Sequence, residues 1–299
     1  MKKPILIAEI GINHQGNWDT LEKMVDESLK YADYAKVQIR TPRICVPKSE
    51  WDKPKATPWG DTMPYIQYRE MMEIPKNVLL RLMEKYKNEN GRSRLFASFW
   101  DLECLVNYLY DYRLRELSEF IKIPSAKITD ADLMKFVFNS RFCGDYTVMV
   151  STGMSTKDEI LQVRDWYDES CWETPEQMRE NKIVVMSCNS SYPTPDNEVN
   201  LLRMTTLQGM FGNRAETGFS SHSSSPYPAI YSAFYGARYV EVHYTLDRTW
   251  IGSDHAASLE TPALQLISRE LSRIPVLHGD GLLSLSESEY PARSKLRGN

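Results

Sequence analysis

Eight short apolar runs recur along this chain, and between them lie stretches whose apolar residues return every three or four positions. The runs are 5–8, 35–39, 95–97, 120–123, 147–150, 183–186, 218–220 and 239–243. They have the length of buried strands. In the intervening stretches Leu21, Met24, Val25 and Leu29 share one helical face, as do Leu79, Leu82, Met83 and Tyr86, and then Leu102, Leu105, Val106 and Leu109. Ile230, Ala233, Phe234 and Ala237 repeat the spacing, and so do Leu264, Ile267 and Leu271. Thr156 and Glu159 have the spacing of a capping box, and Thr261-Pro262 reads as an N-cap followed by proline at the first helical position. A strand followed by a helix, eight times over, predicts a (β/α)8 TIM barrel. The competitor is a doubly wound open sheet, whose dinucleotide-binding form prefers Gly-x-Gly-x-x-Gly after its first strand. Here that place reads Glu9-Ile10-Gly11-Ile12-Asn13-His14-Gln15-Gly16, which lacks the spacing. No linker or internal repeat interrupts the pattern. A single α/β domain is expected over 1–275, with 276–299 a C-terminal tail and no separate domain.

Charge and cysteine usage narrow the function classes. The formal net charge is -4, so nothing supports general nucleic-acid or anionic-membrane binding, and an anion would need a local cluster of donors. No run approaches the roughly 20 apolar residues of a membrane helix, and the first apolar run stops at Glu9, too early for a signal-peptide core. Cys45, Cys104, Cys143, Cys171 and Cys188 are odd in number and widely spaced, which argues against a disulfide framework and a thiolate zinc site. A cytoplasmic location is the expectation.

In such barrels chemistry sits at the C-terminal ends of the strands. Those ends read Glu9; Lys36 and Gln38; Ser98; Lys122, Ser125 and Lys127; Ser151 and Thr152; Asn189, Ser190 and Tyr192; Ser220 and His222; then His243. A purely structural barrel has no reason to place lysines and histidines there. Two long loops fall on the same face. Residues 40–74 carry Arg40, Arg43, Lys48, Lys53 and Lys55, and residues 244–260 follow the last strand. The acidic, aromatic insertion 166–181 precedes the sixth strand, so it belongs at the opposite end as a surface excursion or subunit contact.

Several segments carry a resemblance. They are Ile7-Ala8-Glu9-Ile10-Gly11-Ile12-Asn13-His14-Gln15-Gly16-Asn17, Lys36-Val37-Gln38, Lys122-Ile123-Pro124-Ser125, Ser151-Thr152-Gly153-Met154, Tyr192-Pro193-Thr194-Pro195, Ser220-Ser221-His222 and Gly252-Ser253-Asp254-His255-Ala256-Ala257-Ser258-Leu259-Glu260. In this order, over roughly residues 5–262, the chain resembles the sialic acid synthases, the phosphoenolpyruvate-dependent nonulosonate synthases. The resemblance implies a (β/α)8 barrel. It also implies a transferase reaction: phosphoenolpyruvate condenses with the open-chain aldehyde of an N-acyl hexosamine, giving a nine-carbon sialic acid and phosphate. A divalent metal, typically Mn²⁺ with Mg²⁺ or Co²⁺ as alternatives, and a homodimer are implied as well.

That reaction must hold an anion, polarise an aldehyde and deliver water. Lys36 and Lys122 are cationic donors at strand ends, and with the hydroxyls of Ser125 and Ser220 they suit a phosphate cradle. The resemblance assigns them that role and puts Ser190 at the position of a phosphate-binding asparagine. His222 and His243 end the seventh and eighth strands, which are neighbours in a barrel, and two imidazoles with open positions suit a Lewis-acid metal. The resemblance names both as metal ligands. Glu9 either moves a proton or neutralises a lysine. Ser98 ends the third strand among the substrate groups. Gln38 and Asp254 match sugar-contacting positions, and Tyr192 matches an aromatic near them. His14 and His255 either bond substrate or are structural.

Three departures from the family pattern stand out. Lys127 occupies the place of a sugar-binding glutamate; a cation cannot accept hydroxyl protons, so it either meets an acidic sugar or turns to solvent. The third strand ends Phe96-Ala97-Ser98-Phe99-Trp100-Asp101 rather than Ser-Thr-Pro-Phe. The antifreeze-like C-terminal domain of longer synthases is not expected here, and the basic Arg293, Lys295 and Arg297 either replace its arginine in part or belong to a frayed tail. Two other readings stay open: a Schiff-base pyruvate aldolase built on a barrel lysine, and an inactive barrel kept as a binding or assembly protein.

Overall fold

The computed structural model describes residues 2–58, 60–139, 142, 145–173 and 183–297. In chain order the strands are β1 (Ile5–Gly11), β2 (Tyr34–Ile39), β3 (Pro54–Ala56), β4 (Thr62–Pro64), β5 (Leu95–Phe99), β6 (Phe120–Ile123), β7 (Thr147–Ser151), β8 (Ile183–Cys188), β9 (Ala215–Ser221) and β10 (Tyr239–His243). Eight of them close a barrel in the order β1-β10-β9-β8-β7-β6-β5-β2, and every pairing in it is parallel. All eight strands read from the apolar runs are present, most of them extended by one to three residues at an end. The short antiparallel pair β3–β4 lies inside the long loop after β2, where the sequence reads only as loop.

Helices cover the barrel because each presents an apolar stripe to it. Trp18–Ser28 buries Leu21, Met24 and Val25, and Thr261–His278 buries Leu264, Ile267, Leu271 and Ile274. The capping box forms, with the Glu159 N–H donating to Thr156 Oγ1 at 3.3 Å and the Thr156 N–H donating to Glu159 Oε2 at 2.7 Å. One boundary differs from the sequence reading. Glu260 is the N-cap of the last long helix, and Thr261 is already helical, its Oγ1 within 2.9 Å of the Tyr244 hydroxyl.

Alternation along the strands divides the interior in two. Residues pointing outward, such as Leu6, Ala8, Ala35, Val37, Ile121, Ile123, Val240 and Val242, join the helices in one large core. Residues pointing inward are apolar only in the lower layers: Ile7, Phe96, Phe120, Met149, Val184, Met186 and Tyr239 fill the barrel floor. Nearer the C-terminal ends the inward positions become Glu9, Lys36, Ser98, Lys122, Ser151, Ser220 and Glu241, all buried.

Part of the insertion expected at 166–181 continues the helix Lys157–Glu173, and 174–182 lie outside the described residues. Cys45, Cys104 and Cys188 are free thiols, whereas Cys143 and the side chain of Cys171 lie outside the description. Among the described residues no helix is long and apolar enough to cross a membrane.

Candidate active site

Register brings the inward polar residues into one ring. Glu9 on β1 stands beside Lys36 on β2 and His243 on β10, Ser98 stands beside Lys122, and Ser220 beside Glu241. Lys36 Nζ approaches Glu9 Oε2 to 2.6 Å and Glu241 Oε2 to 3.5 Å. Lys122 Nζ donates to both Glu241 oxygens at 3.1 Å and also meets Met186 Sδ at 3.1 Å. Ser220 donates to Glu241 Oε1 at 2.8 Å. Two ammonium groups and two carboxylates thus compensate one another inside the barrel. The two lysines expected to cradle phosphate are paired with acids here, and Ser220 donates to Glu241. Glu241 was missed by the sequence reading, although Tyr239, Glu241 and His243 share one side of a five-residue strand.

The ionisation of this cluster follows from burial and its neighbours. Burial raises the Glu9 carboxyl above the ordinary carboxylate range, and the lysine beside it offsets this only in part. Glu9 Oε2 faces the Lys36 ammonium at 2.6 Å, while Oε1 accepts from Gln38 Nε2 at 3.0 Å. Burial opposes the charge on Glu241 too, but Lys122 and Lys36 outweigh it and hold that carboxyl far below the usual range. Burial pushes Lys122 down despite Glu241; at Lys36 burial is outweighed by Glu241 and Glu9, and the ammonium is favoured.

Two imidazoles roof the cluster, with ring centroids 5.1 Å apart. His222 Nδ1 lies in a very short contact with the Asn189 carbonyl, which can only accept. That nitrogen therefore carries a proton, and Nε2 meets the Tyr192 hydroxyl at 2.9 Å. His243 is buried, burial pushes its pKa down, and its Nδ1 has no hydrogen-bond partner among the described residues. Two imidazoles at neighbouring strand ends, one meeting a hydroxyl at the mouth and one with an unpartnered nitrogen, fit a divalent metal whose other positions go to water and substrate. The described residues contain no cluster of three or more His, Cys, Asp or Glu side chains able to hold a metal alone.

The cavity inside this ring has a volume of about 50 Å³, and its lining includes Glu9, Lys36, Gln38, Ser98, Lys122, Ser125, Tyr192, Ser220, His222 and His243. Of the residues singled out from sequence, Ser190, Asp254 and Lys127 do not line it. Ser190 is 2.9 Å from Ser125 Oγ. Asp254 stands at the rim, where Gly11 has φ +56 and a Cβ would lie 3.0 Å from Gln38 Nε2 and 3.2 Å from Glu9 Oε1. Only glycine lets β1 bend there and keep those three side chains together. Lys127 lies in a short 3-10 turn, 3.7 Å from Asp130. Besides Glu241, sequence reasoning overlooked Cys188 and Trp100 in the lining. A larger cavity, about 690 Å³, lies elsewhere against His14, Gln15 and Trp250, without a cluster of paired acids and bases. The paired acids and bases lie in the smaller one. His14 Nδ1 accepts from the Gly16 N–H at 3.1 Å while its Nε2 has no partner among the described residues, and His255 Nδ1 is 2.7 Å from Thr245 Oγ1.

A closed parallel barrel with buried acids, lysines and imidazoles at its C-terminal mouth defines a (β/α)8 enzyme, and comparison with known proteins makes the class specific. The NeuB family model matches residues 24–282, and the chain belongs to that family. It is similar to the N,N'-diacetyllegionaminic acid synthase of Campylobacter jejuni, 28% identical over 97% of this chain and 81% of the relative. It is similar also to the human N-acetylneuraminate-9-phosphate synthase, 27% identical over 97% of this chain and 76% of that one. Among solved structures, the N-acetylneuraminic acid synthetase of Leptospira borgpetersenii superposes with a TM-score of 0.76 at 25% identity, covering 99% of this chain and 93% of that chain. The chain is thus a carbon–carbon bond-forming transferase of the sialic acid synthase type.

Proposed function

We propose that the chain condenses phosphoenolpyruvate with the open-chain aldehyde of an N-acyl hexosamine to give a nine-carbon 3-deoxy-2-keto acid and inorganic phosphate. The observation that carries this is the buried Glu9–Lys36–Glu241–Lys122 cluster beneath two imidazoles. The printed names of the relatives, legionaminic and neuraminic acid synthases, support the product class.

The chain's residues divide the work. Lys36 and Lys122 bind the phosphate and carboxylate of the enol ester, exchanging part of their hold on Glu241 for the substrate. The enol carbon C3 bonds to the aldehyde carbon, and the aldehyde oxygen takes a proton to become a hydroxyl. Water adds to C2, and the C2–oxygen bond to phosphate breaks, leaving a ketone. Glu9, which burial favours in its protonated form, holds the proton these steps pass between oxygens. Gln38 bonds Glu9 and keeps it aimed at the mouth. His222 and His243 would hold the divalent metal, Mn²⁺ first among Mg²⁺ and Co²⁺, which when bound supplies Lewis-acid polarisation of the aldehyde.

The test is phosphate release from phosphoenolpyruvate with Mn²⁺ and a panel of N-acyl hexosamines. Sugar-dependent release that a chelator abolishes is the expected result. Absence of release with every sugar, together with absence of phosphoenolpyruvate binding, overturns the reading. One observation favours a second chemistry: burial lowers the Lys122 ammonium, as a Schiff-base lysine requires. Borohydride trapping of a pyruvate adduct on Lys122, insensitive to chelators, would put that aldolase in its place.

A further inference from the structure

The turn that follows β1 carries two polar atoms that the fold itself leaves unmatched. The turn is tight: the Asn13, Gln15 and Asn17 N–H groups donate to the carbonyls of Ile10, Ile12 and His14. Gln15 and Gly16 both take positive φ, and a Cβ at Gly16 would lie 2.7 Å from the Met71 carbonyl oxygen. Asn13 and His14 are thereby held in place, 0% and 1% exposed.

Their hydrogen bonds settle which free atom accepts and which donates. Asn13 Nδ2 donates to the Tyr244 carbonyl and to Ser258 Oγ, each at 2.9 Å, and Ser258 spends its own proton on the Asp254 carbonyl. The amide cannot be turned over, so Oδ1 is an acceptor, and it has no partner among the described residues. His14 Nδ1 accepts from the Gly16 N–H, and burial keeps the ring neutral by pushing its pKa down to about 3. The one ring proton is then on Nε2, a donor that also has no partner among the described residues. A buried donor and a buried acceptor left unmatched are unfavourable, and natural folds keep few of them.

Asn13 and His14 both line the cavity of about 690 Å³, a size that suits a small molecule. Met71, Trp250 and Ile251 give it an apolar wall, and no lysine, arginine, aspartate or glutamate lines it. It shares no lining residue with the catalytic cavity. The matching ligand is neutral, with one acceptor, one donor and an apolar end. A secondary amide has all three on one rigid plane.

We propose that this cavity is a second ligand site, apart from the catalytic ring, for a small molecule bearing a neutral secondary amide. The amide carbonyl accepts from His14 Nε2, its N–H donates to Asn13 Oδ1, and its acyl methyl packs on the apolar wall. Under the synthase reading both the acceptor sugar and the nine-carbon product carry such an amide, so only the source of the ligand rests on that reading, not the chemistry of the site.

The test follows the His14 Nε2–H resonance by isotope-edited NMR in the full chain, because that proton reports this cavity and not the catalytic one. N-methylacetamide should shift it saturably. N,N-dimethylacetamide and methyl acetate, which have no N–H, should bind about fivefold more weakly, the yield of one hydrogen bond. Trp250→Ala, at a side chain 41% exposed, trims the wall without touching either polar atom and should weaken N-methylacetamide by about fivefold or more. Among sugars, N-acetylmannosamine or N-acetylneuraminic acid should move the resonance and mannose should not. The tighter of the two acylated compounds names substrate or product as the source. Equal binding of the three small probes, an equal response to mannose, indifference to Trp250→Ala, or no shift with any compound overturns the proposal. Phosphate release is scored separately. A chain that binds the amide here but releases no phosphate keeps this site and loses the synthase reading, and one that releases phosphate without the His14 shift loses this site alone.

Discussion

Glu241 holds two lysines at once. It is 3% exposed, within 3.1 Å of Lys122 and 3.5 Å of Lys36, and it accepts from Ser220 as well. Removing its charge while keeping its size leaves two buried ammonium groups sharing the single carboxylate of Glu9. Glu241→Gln is expected to lower the unfolding free energy by about 3–5 kcal/mol, the cost of breaking a buried ion pair from one side. Urea unfolding measures this, and a loss under about 1 kcal/mol would contradict the assignment. His14 offers a pH-dependent counterpart. Burial pushes its imidazole down to about 3, well below the ordinary histidine range. With the folded pKa below the unfolded one, the neutral ring's contribution is complete above about pH 6.5 and is lost as the pH falls toward 3. In His14→Gln, the unfolding free energies at pH 7 and pH 4 should lie closer together than in the unaltered chain. An identical gap would relieve His14 of this role. Glu9, His222 and His243 were legible in the sequence at or just past the ends of their apolar runs, and Lys36 and Lys122 because a lysine within an apolar strand has no structural reason to be there. Glu241 sits inside its run as those lysines do, and it stayed hidden because it neither ends its strand nor falls in any of the segments that carry the resemblance.

At the scale of elements, the loops after β6, β7 and β8 lean on one another through Gly153. A Cβ there would lie 2.2 Å from Ser190 Oγ and 3.0 Å from Cys188 Sγ. Real contacts do not approach so closely, so Gly153→Ala must push Ser190 away from Ser125. A cost of about 1–3 kcal/mol is expected, as for other overpacked sites. Thermal unfolding checks it, and the double variant Gly153→Ala/Ser190→Gly should recover most of the loss; no recovery would place the strain elsewhere. Helix faces were legible because each buries a stripe at regular spacing. The pair β3–β4 was not, since strands of three residues that carry Pro54 and Pro64 offer too little alternation to read. The displaced start of Thr261–His278 has a similar cause: a threonine before proline is a common cap, but the hydroxyl of Thr261 is taken by Tyr244.

Over the whole molecule, the barrel was legible because parallel strands buried on both faces read as continuous apolar runs. The same continuity concealed how the interior is divided, since apolar residues on both faces mask the alternation. Phe96, Phe120, Met149, Met186 and their neighbours pack the floor solidly, so the tube is blind at one end. A blind tube imposes a queue. If the lysines at depth and the imidazoles above them hold the two reactants as proposed, the one held by the lysines enters first, and whatever lies deepest afterwards waits for the upper product to clear. The seven apolar side chains of the floor would then set a compulsory order in the kinetics without touching a reacting atom.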